Sequence, residues 1–396
     1  MGTLYLHIGT PKTGTSAIQK FLCKNREIIK EQGFCYPDFG YRYPKIRKQR
    51  NAHFMVHRQK CKSLPEEERK KIRQAEDEQF YEGLDKIKEL MDIYPNVIMS
   101  DENIWNGYIK RKSFWQLLAK ALEERDISLK VIVYLRRQDL LVESYWLQRV
   151  KGTSWEMDFQ EYIASGKYKE FKLNYYKRLQ SIANFVGKEN IIVRAYERQQ
   201  WEGREKTLIQ DFFHCVGLEM NDKFMDSDMV VNTRLSGSCL EVKRILNQNE
   251  YLREEKSWVI RDLKAIQDEM GHSRCKYFTY KEQVAFLKKY EKCNAAVARE
   301  YMNREDGILF RDEVPDKGNM VQENYSPEEL VLICGKMLEI HNKEVESQLE
   351  DMKKSLAYAR RPLIKKIAGK IYHIFSTLLS VPCGQHKWKR MDSILG

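Results

Sequence analysis

The chain has 396 residues, 42% of them hydrophobic, and a formal net charge of +12. This length and composition exclude a disordered chain and allow one large domain with insertions or two modest domains. Nine cysteines, an odd number without a CxxC pair, argue against a disulfide framework or a zinc site and favour a reducing, cytoplasmic compartment. We expect neither a secretory signal nor a transmembrane span, because no run of about 20 apolar residues occurs.

The first segment predicts a strand, a tight loop and a helix. Leu4, Leu6 and Ile8 recur at every second position, and a helical pattern of apolar residues follows over 17–30. Between them, residues 9–16 read GTPKTGTS. A glycine-bearing loop between a strand and a helix turns backbone N–H groups and the helix dipole toward an anion. The segment therefore predicts a phosphate-binding loop.

The lysine of this loop is displaced from its place in nucleoside triphosphatases. In the pattern GxxxxGK the lysine follows the second glycine and reaches the β- and γ-phosphates. Here Thr15 occupies that position, and the lysine is Lys12, between the two glycines. Because a lysine inside the loop lies nearer a 5'-phosphate, we expect a nucleotide with a short 5' anion rather than a triphosphate with Mg²⁺.

Further strands and helices alternate along the chain. This order predicts an α/β fold, a P-loop-type three-layer α/β/α arrangement around a parallel sheet, with a mostly helical C-terminal portion after about residue 205. An irregular loop is expected at 38–62. The expected further strands are at 33–37, 96–100, 129–135 and 190–194, and the expected helices are at 66–92, 112–125 and soon after 135.

A second anion motif follows the strand at 129–135. Arg136 stands at the strand end, and Ser144 lies eight residues later in the following helix. Arginine supplies a charged fork for a phosphate, and serine adds a neutral donor. Arg137 is the alternative phosphate ligand.

Together, these motifs resemble the PAPS-dependent sulfotransferase family, in which PAPS is 3'-phosphoadenosine 5'-phosphosulfate. The PKTGTS stretch looks like the family's 5'-phosphosulfate loop, and its flanks are similar to the bacterial carbohydrate-type branch. The arginine–serine pair resembles the 3'-phosphate motif. The C-terminal RKG…GDWK-like clamp of the cytosolic small-molecule sulfotransferases is not found, and residues 232–236 are a candidate substitute. The resemblance implies that PAPS binds Pro11, Lys12, Thr13, Gly14, Thr15, Ser16, Arg136 and Ser144.

The resemblance spans roughly residues 1–345 and implies sulfuryl transfer to a hydroxyl or amine of a glycan or glycolipid. The product nucleotide would be 3',5'-bisphosphoadenosine, and no metal is required. We expect a nucleotide-binding core at about 1–220 and a helical acceptor-side portion at about 221–345. A P-loop kinase or other NTPase, and a non-catalytic nucleotide-binding membrane adaptor, are the alternatives. Tyr41, Tyr43 and Trp258 are candidates for sugar stacking or for core packing.

Sulfuryl transfer needs a cation at the leaving phosphate and a base for the acceptor proton. The cation is expected to be Lys12. The base is expected to be His53, in the 38–62 loop, or Glu102, after the strand at 96–100. His57 competes with His53, whereas His7 lies within the first strand and is expected in the core.

The basic charge is concentrated at the C-terminus. Residues 353–396 contain ten Lys or Arg and one acid, which gives +9 of the total +12. This distribution argues against nucleic acid as a partner, because such enzymes spread positive charge around the binding groove. An amphipathic pattern from Ile364 to Leu378 predicts a helix in the separate tail, 346–396. This helix either docks on its own domain or lies on an anionic membrane surface, at the inner face of the membrane.

Overall fold

The computed structural model describes residues 2–106, 113–152, 155–225, 235–254, 256–271, 277–314 and 325–360. The chain divides into two compact units, Met1–Leu330 and Val331–Gly396. The predicted boundary at 345 and 346 falls within a continuous helix. In the described part of the chain, no helix combines the length and the apolar character needed to cross a membrane.

The first unit is built on a five-stranded sheet in the order β2-β3-β1-β4-β5, and all neighbouring strands are parallel. The expected α/β fold with a parallel sheet is therefore confirmed. Each expected strand is present within a few residues of its predicted bounds. The strands are β1 (Gly2–His7), β2 (Phe34–Cys35), β3 (Asn96–Ser100), β4 (Ile127–Leu135) and β5 (Ile191–Ala195).

Strand β1 is the central strand, with β3 on one side and β4 on the other. Leu6 is opposite Met99 of β3 and Val131 of β4, and all three side chains are fully buried. The chain passes from β3 across β1 to β4, so the strand order reverses beside β1. In open parallel sheets, ligands bind at the carboxyl ends of the strands next to such a reversal.

Helices cover both faces of this sheet. One face is sealed by apolar side chains of α1, α2 and α10, including Phe21, Phe212 and Phe213. The helices Glu66–Met91, Phe114–Glu123 and Glu291–Met302 also contact strands of the sheet. The helices through this region are α1 (Thr15–Lys24), α2 (Arg26–Glu31), α3 (His53–Val56), α4 (Glu66–Met91), α5 (Asn103–Asn106), α6 (Phe114–Glu123), α7 (Gln138–Gly152), α8 (Phe159–Ala164), α9 (Tyr175–Val186) and α10 (Leu208–Val216).

The prediction of a single helix over 17–30 is wrong in one respect, because the helix is broken at Asn25. The side-chain amide of Asn25 donates to the carbonyl of Phe21 at 3.0 Å and accepts from the N–H of Met225 at 2.8 Å. An asparagine that bonds backbone groups competes with the helical ladder. The helix therefore ends at Lys24 and restarts as α2.

The C-terminal portion is helical, as expected. The described residues after 235 form helices without a strand. They are α11 (Gly237–Leu246), α12 (Glu250–Glu254), α13 (Lys256–Met270), α14 (Tyr280–Lys288), α15 (Glu291–Met302) and α16 (Pro327–Arg360).

Candidate functional site

The loop between β1 and α1 has the backbone geometry of an anion site. Lys12 and Gly14 have positive φ angles of 70° and 74°. Such alternation turns consecutive N–H groups toward one concave side, and it places them at the positive end of the α1 dipole. Tyr134 in β4 fixes the loop, because its carbonyl accepts the N–H of Thr10 at 2.8 Å and its N–H donates to Gly9 at 2.7 Å.

The threonines of the loop point inward. The hydroxyl of Thr13 donates to the carbonyl of Thr10 at 2.5 Å, and the hydroxyl of Thr15 donates to the same carbonyl at 3.4 Å. Thr15 is 4% exposed. Thr15, which occupies the position of the triphosphatase lysine, therefore stabilises the conformation of the loop. Lys12 is half-buried and Ser16 is exposed, and the guanidinium of Arg47 donates to the Ser16 hydroxyl at 3.4 Å.

Arg136 joins the two anion motifs. Its guanidinium donates to the carbonyl of Lys12 at 2.9 Å, and it lies 5.7 Å from the ring centre of Tyr196. The Tyr175 hydroxyl donates to the carbonyl of Arg136 at 2.5 Å. Ser144 lies on α7, two turns beyond Arg136, and is partly exposed. The ends of β1 and β4 therefore bring Lys12 and Arg136 together.

Arg137, the alternative phosphate ligand, is occupied by structural contacts. It is 5% exposed and forms an ion pair with Asp139 at 2.9 Å. It also donates to the carbonyl of Asp312 at 2.5 Å. Burial lowers the pKa of Arg137, but the bond to Asp139 and the charges of nearby carboxylates together outweigh it, and the net direction is upward. These contacts leave Arg136 as the better candidate.

His53 forms a buried pair with a carboxylate that was not among the expected residues. Its Nδ1 lies 2.8 Å from Asp101, which follows β3 and is fully buried. When Nδ1 carries the proton and donates to Asp101, Nε2 is left as the acceptor that a base needs. Arg50 also binds Asp101, at 2.5 Å. Burial raises the pKa of Asp101, but the bond from His53 and the charge of Arg50 outweigh it and lower the pKa.

Glu102 is held by two donors at the edge of the loop. Arg50 lies 3.2 Å from one of its oxygens, and the amide of Gln19 donates to the other at 3.2 Å. Its backbone is close to Gly9, where a side-chain carbon would lie 3.1 Å from Cβ of Glu102. Both oxygens of Glu102 are thus engaged by neighbouring donors, whereas His53 is oriented by Asp101, so the geometry favours His53 over Glu102 as the base.

His57 and His7 have surroundings that differ from those of His53. The rings of His57 and His53 both contact Tyr43, with centroid distances of 4.3 and 4.9 Å. His7 is fully buried, as expected, and its Nδ1 lies 3.0 Å from the Ser100 hydroxyl. Burial lowers the pKa of His7 to about 3, so it stays neutral in the core.

Two lysines outside the expected site are half-buried, Lys151 at the end of α7 and Lys264 on α13. Burial lowers the pKa of Lys151 to about 8, and the charges of Lys264 and Lys12 act in the same direction. No local sequence pattern joins positions 151 and 264, because they lie on different helices.

Asp101 and Arg50 were within reach of sequence reasoning. Asp101 precedes Glu102 at the strand end, and Arg50 is three residues before His53. Their pairing depends on the path of the 38–62 loop, which has no periodic pattern. Part of the candidate nucleotide clamp, residues 232–234, and the tail from 361 onward lie outside the described residues.

Comparison with known proteins gives little further information. No family model matches the chain. The chain is 29% identical over 185 residues to a protein of Archaeoglobus fulgidus that carries the description "Uncharacterized protein". The matched segment is 46% of this chain and 49% of the archaeal protein, so the chain spans about half of that relative's length. This similarity identifies a relative without indicating an activity.

Proposed function

We propose that this protein is a PAPS-dependent sulfotransferase that moves the sulfuryl group to a hydroxyl or amine of a glycan or glycolipid. The observation that carries the proposal is the 2.9 Å bond from Arg136 to the carbonyl of Lys12. It joins a loop suited to a short 5' anion with an arginine suited to a second phosphate. A nucleotide with anions at both its 5' and 3' positions fits this pair of subsites.

In the donor half of the site, different residues bind the 5' and 3' anions of the nucleotide. The loop N–H groups and Lys12 bind the 5'-phosphosulfate, and Lys12 neutralises the charge that develops on the leaving phosphate oxygen. Arg136 and Ser144 bind the 3'-phosphate. Thr13 and Thr15 brace the loop through the carbonyl of Thr10.

The acceptor half supplies the base. Nε2 of His53 takes the proton of the acceptor hydroxyl while the hydroxyl oxygen attacks sulfur. The bond between sulfur and the 5'-phosphate oxygen breaks, and 3',5'-bisphosphoadenosine leaves with that electron pair. Asp101 positions His53 and stabilises its positive charge, as a buried carboxylate does for a catalytic histidine. The sulfuryl group gains one oxygen bond and loses another, so no oxidant is needed.

Transfer of labelled sulfate from PAPS to an acceptor panel tests this proposal. Lys12→Ala is expected to lower turnover about 10²- to 10³-fold, as loss of one charge-stabilising group does in other enzymes. Arg136→Ala is expected mainly to weaken binding of PAPS. Turnover should fall less than in Lys12→Ala, and it falls at all because the substitution also releases the Lys12 carbonyl. Lys20→Ala, an exposed lysine of α1, is the matched control and should retain activity.

Equal and mild effects of Lys12→Ala and Arg136→Ala would contradict the mechanism. Phosphate transfer from ATP would favour the kinase alternative. Nucleotide binding without transfer to any acceptor of the panel would favour the non-catalytic adaptor.

A further inference from the structure

The helix α16 buries apolar side chains only in its first half. Ile333 and Met337 are buried there, whereas every side chain from 345 to 358 is exposed. A row of apolar side chains on an exposed, otherwise polar segment is typical of an interaction surface. The four members of this row, called the seam below, are Val345, Leu349, Met352 and Leu356, with exposed fractions of 48, 51, 69 and 54%.

The spacing of the seam is that of a coiled coil. Its members are four, three and four residues apart, which is the d-a-d-a pattern of a heptad. Val345 and Met352 are then d positions, and Leu349 and Leu356 are a positions. Asn342 stands at the preceding a position and ends the apolar run. We propose that two copies of this chain pair along the seam, with their α16 helices antiparallel.

The antiparallel arrangement makes the seam complementary to itself. Each a position of one helix then faces a d position of the other. With the two-fold axis between positions 349 and 352, Leu349 faces Met352 of the second copy, and Val345 faces Leu356 of that copy. The axis repeats both contacts, so the four members of one seam face all four of the other. A two-fold dimer requires a surface of this kind.

The charges beside the seam match in the same register. Glu346 and Lys353 occupy the e positions next to the seam. Antiparallel helices bring e positions opposite each other, so Glu346 of one copy faces Lys353 of the other, twice. In a parallel pair e faces g, and Lys353 would face the neutral Gln348. The antiparallel pairing therefore gives both charges a partner of opposite sign, and such complementarity selects one orientation.

These two charges are available to a second copy. Lys354, the neighbour of Lys353, lies 3.8 Å from the carboxylate of Asp351 in its own helix. Within the part of the chain that the structure describes, neither Glu346 nor Lys353 forms such an ion pair, and both side chains are exposed. Pairing of the helices thus adds ionic contacts without breaking any that the single chain already has.

The charge of the segment argues against a lipid surface as the occupant of the seam. Residues 345–356 contain three acids and two lysines. A helix that lies on an anionic membrane carries mostly basic residues beside its apolar face. The pairing also uses none of the residues assigned to the nucleotide, so it stands apart from the proposed function.

Sedimentation equilibrium of the full chain over a range of concentrations tests the pairing. We expect a reversible equilibrium between monomer and dimer. Glu346→Lys and Lys353→Glu should each weaken the dimer about tenfold, because each turns two attractive contacts into repulsive ones. The double variant should restore the wild-type affinity. Glu350→Lys and Lys354→Glu make the same changes of charge at b and f positions, away from the seam, and should leave the dimer unchanged.

A substitution within the seam tests its apolar part. Leu349→Lys should give a monomer, because it places a charge between the two helices. Leu332→Lys is the control, since Leu332 is an exposed leucine in the first half of the same helix, and it should retain the dimer.

Three results would overturn the inference. A wild-type chain that stays monomeric at every concentration would do so, and binding of that monomer to vesicles of anionic phospholipid would assign the seam to a membrane. A dimer that Leu349→Lys disrupts while both charge reversals leave it unchanged would indicate parallel helices. Losses of affinity that are as large in the b and f controls would place the interface outside the seam.

Discussion

The pairing of His53 with Asp101 gives the proposed base a specific dependence on its carboxylate. Asp101→Asn is expected to lower turnover about 10²- to 10⁴-fold, the range for loss of acid–base catalysis, because the amide cannot stabilise a charged imidazole. Nucleotide affinity should change little. Steady-state kinetics and calorimetry check both statements, with Asp85→Asn as the control, since Asp85 pairs with Arg125 on the surface. Unchanged turnover would contradict the assignment of His53 as the base.

The same carboxylate should affect stability at low pH. The pKa of Asp101 is lower in the folded protein than its ordinary value, so its contribution is present above the unfolded pKa and is lost as the pH falls through the folded pKa.

Lys151 predicts a trend in the same direction at high pH. Lys151 has a pKa of about 8 in the folded protein and an ordinary value of 10.5. Between these values the unfolded chain binds more protons, so this group makes stability rise with pH across that window. The groups that face Lys151 are Lys264 and Lys12. Lys151→Met should therefore be more stable than the wild type at pH 7, and the difference should shrink by pH 10.5. Chemical denaturation across this range measures it, and a constant difference would contradict the prediction.

At the scale of elements, the turn into α1 depends on a glycine that another helix approaches. A side-chain carbon at Gly14 would lie 2.2 Å from Leu208 of α10, and its φ of 74° is unfavourable for other residues. Gly14→Ala should destabilise the protein by about 2–4 kcal/mol and abolish nucleotide binding. Gly217→Ala is the matched control, since φ is 82° and no atom lies within 4 Å. Equal losses of stability would argue against the close approach.

The strands were predictable because a parallel sheet buries both of its faces. The expected strand at 129–135 differs from β4 only by two residues at its start. The break between α1 and α2 was not predictable, since the side chain of Asn25 bonds to Met225, 200 residues away. Local patterns therefore located the elements, whereas tertiary contacts decided where one of them ended.

The candidate site was predictable only where its residues belong to one segment. Lys12 and Arg136 each lie in a motif beside a strand end, and the parallel sheet brings those ends together. The partners of Asp101 depend on a loop from a distant part of the sequence. No period or spacing encodes such contacts.

For the whole molecule, charge is divided unevenly along the chain. Residues 353–396 carry +9 of the net +12, so the remaining 352 residues carry only +3. Under the proposed function, a body with so little net charge would attract an anionic nucleotide through local groups, such as Lys12 and Arg136, rather than through its overall field. The membrane role of the tail stays a prediction, because residues 361–396 lie outside the part that the structure describes.

Calorimetric titration with 3',5'-bisphosphoadenosine, without metal and beside ATP with Mg²⁺, tests the central claim most directly. The displaced Lys12, the inward Thr15 and the bond from Arg136 to the loop predict tight binding of the bisphosphate. They also predict no binding of Mg-ATP, because no lysine follows Gly14. Preference for Mg-ATP would contradict the sulfotransferase proposal and favour a kinase.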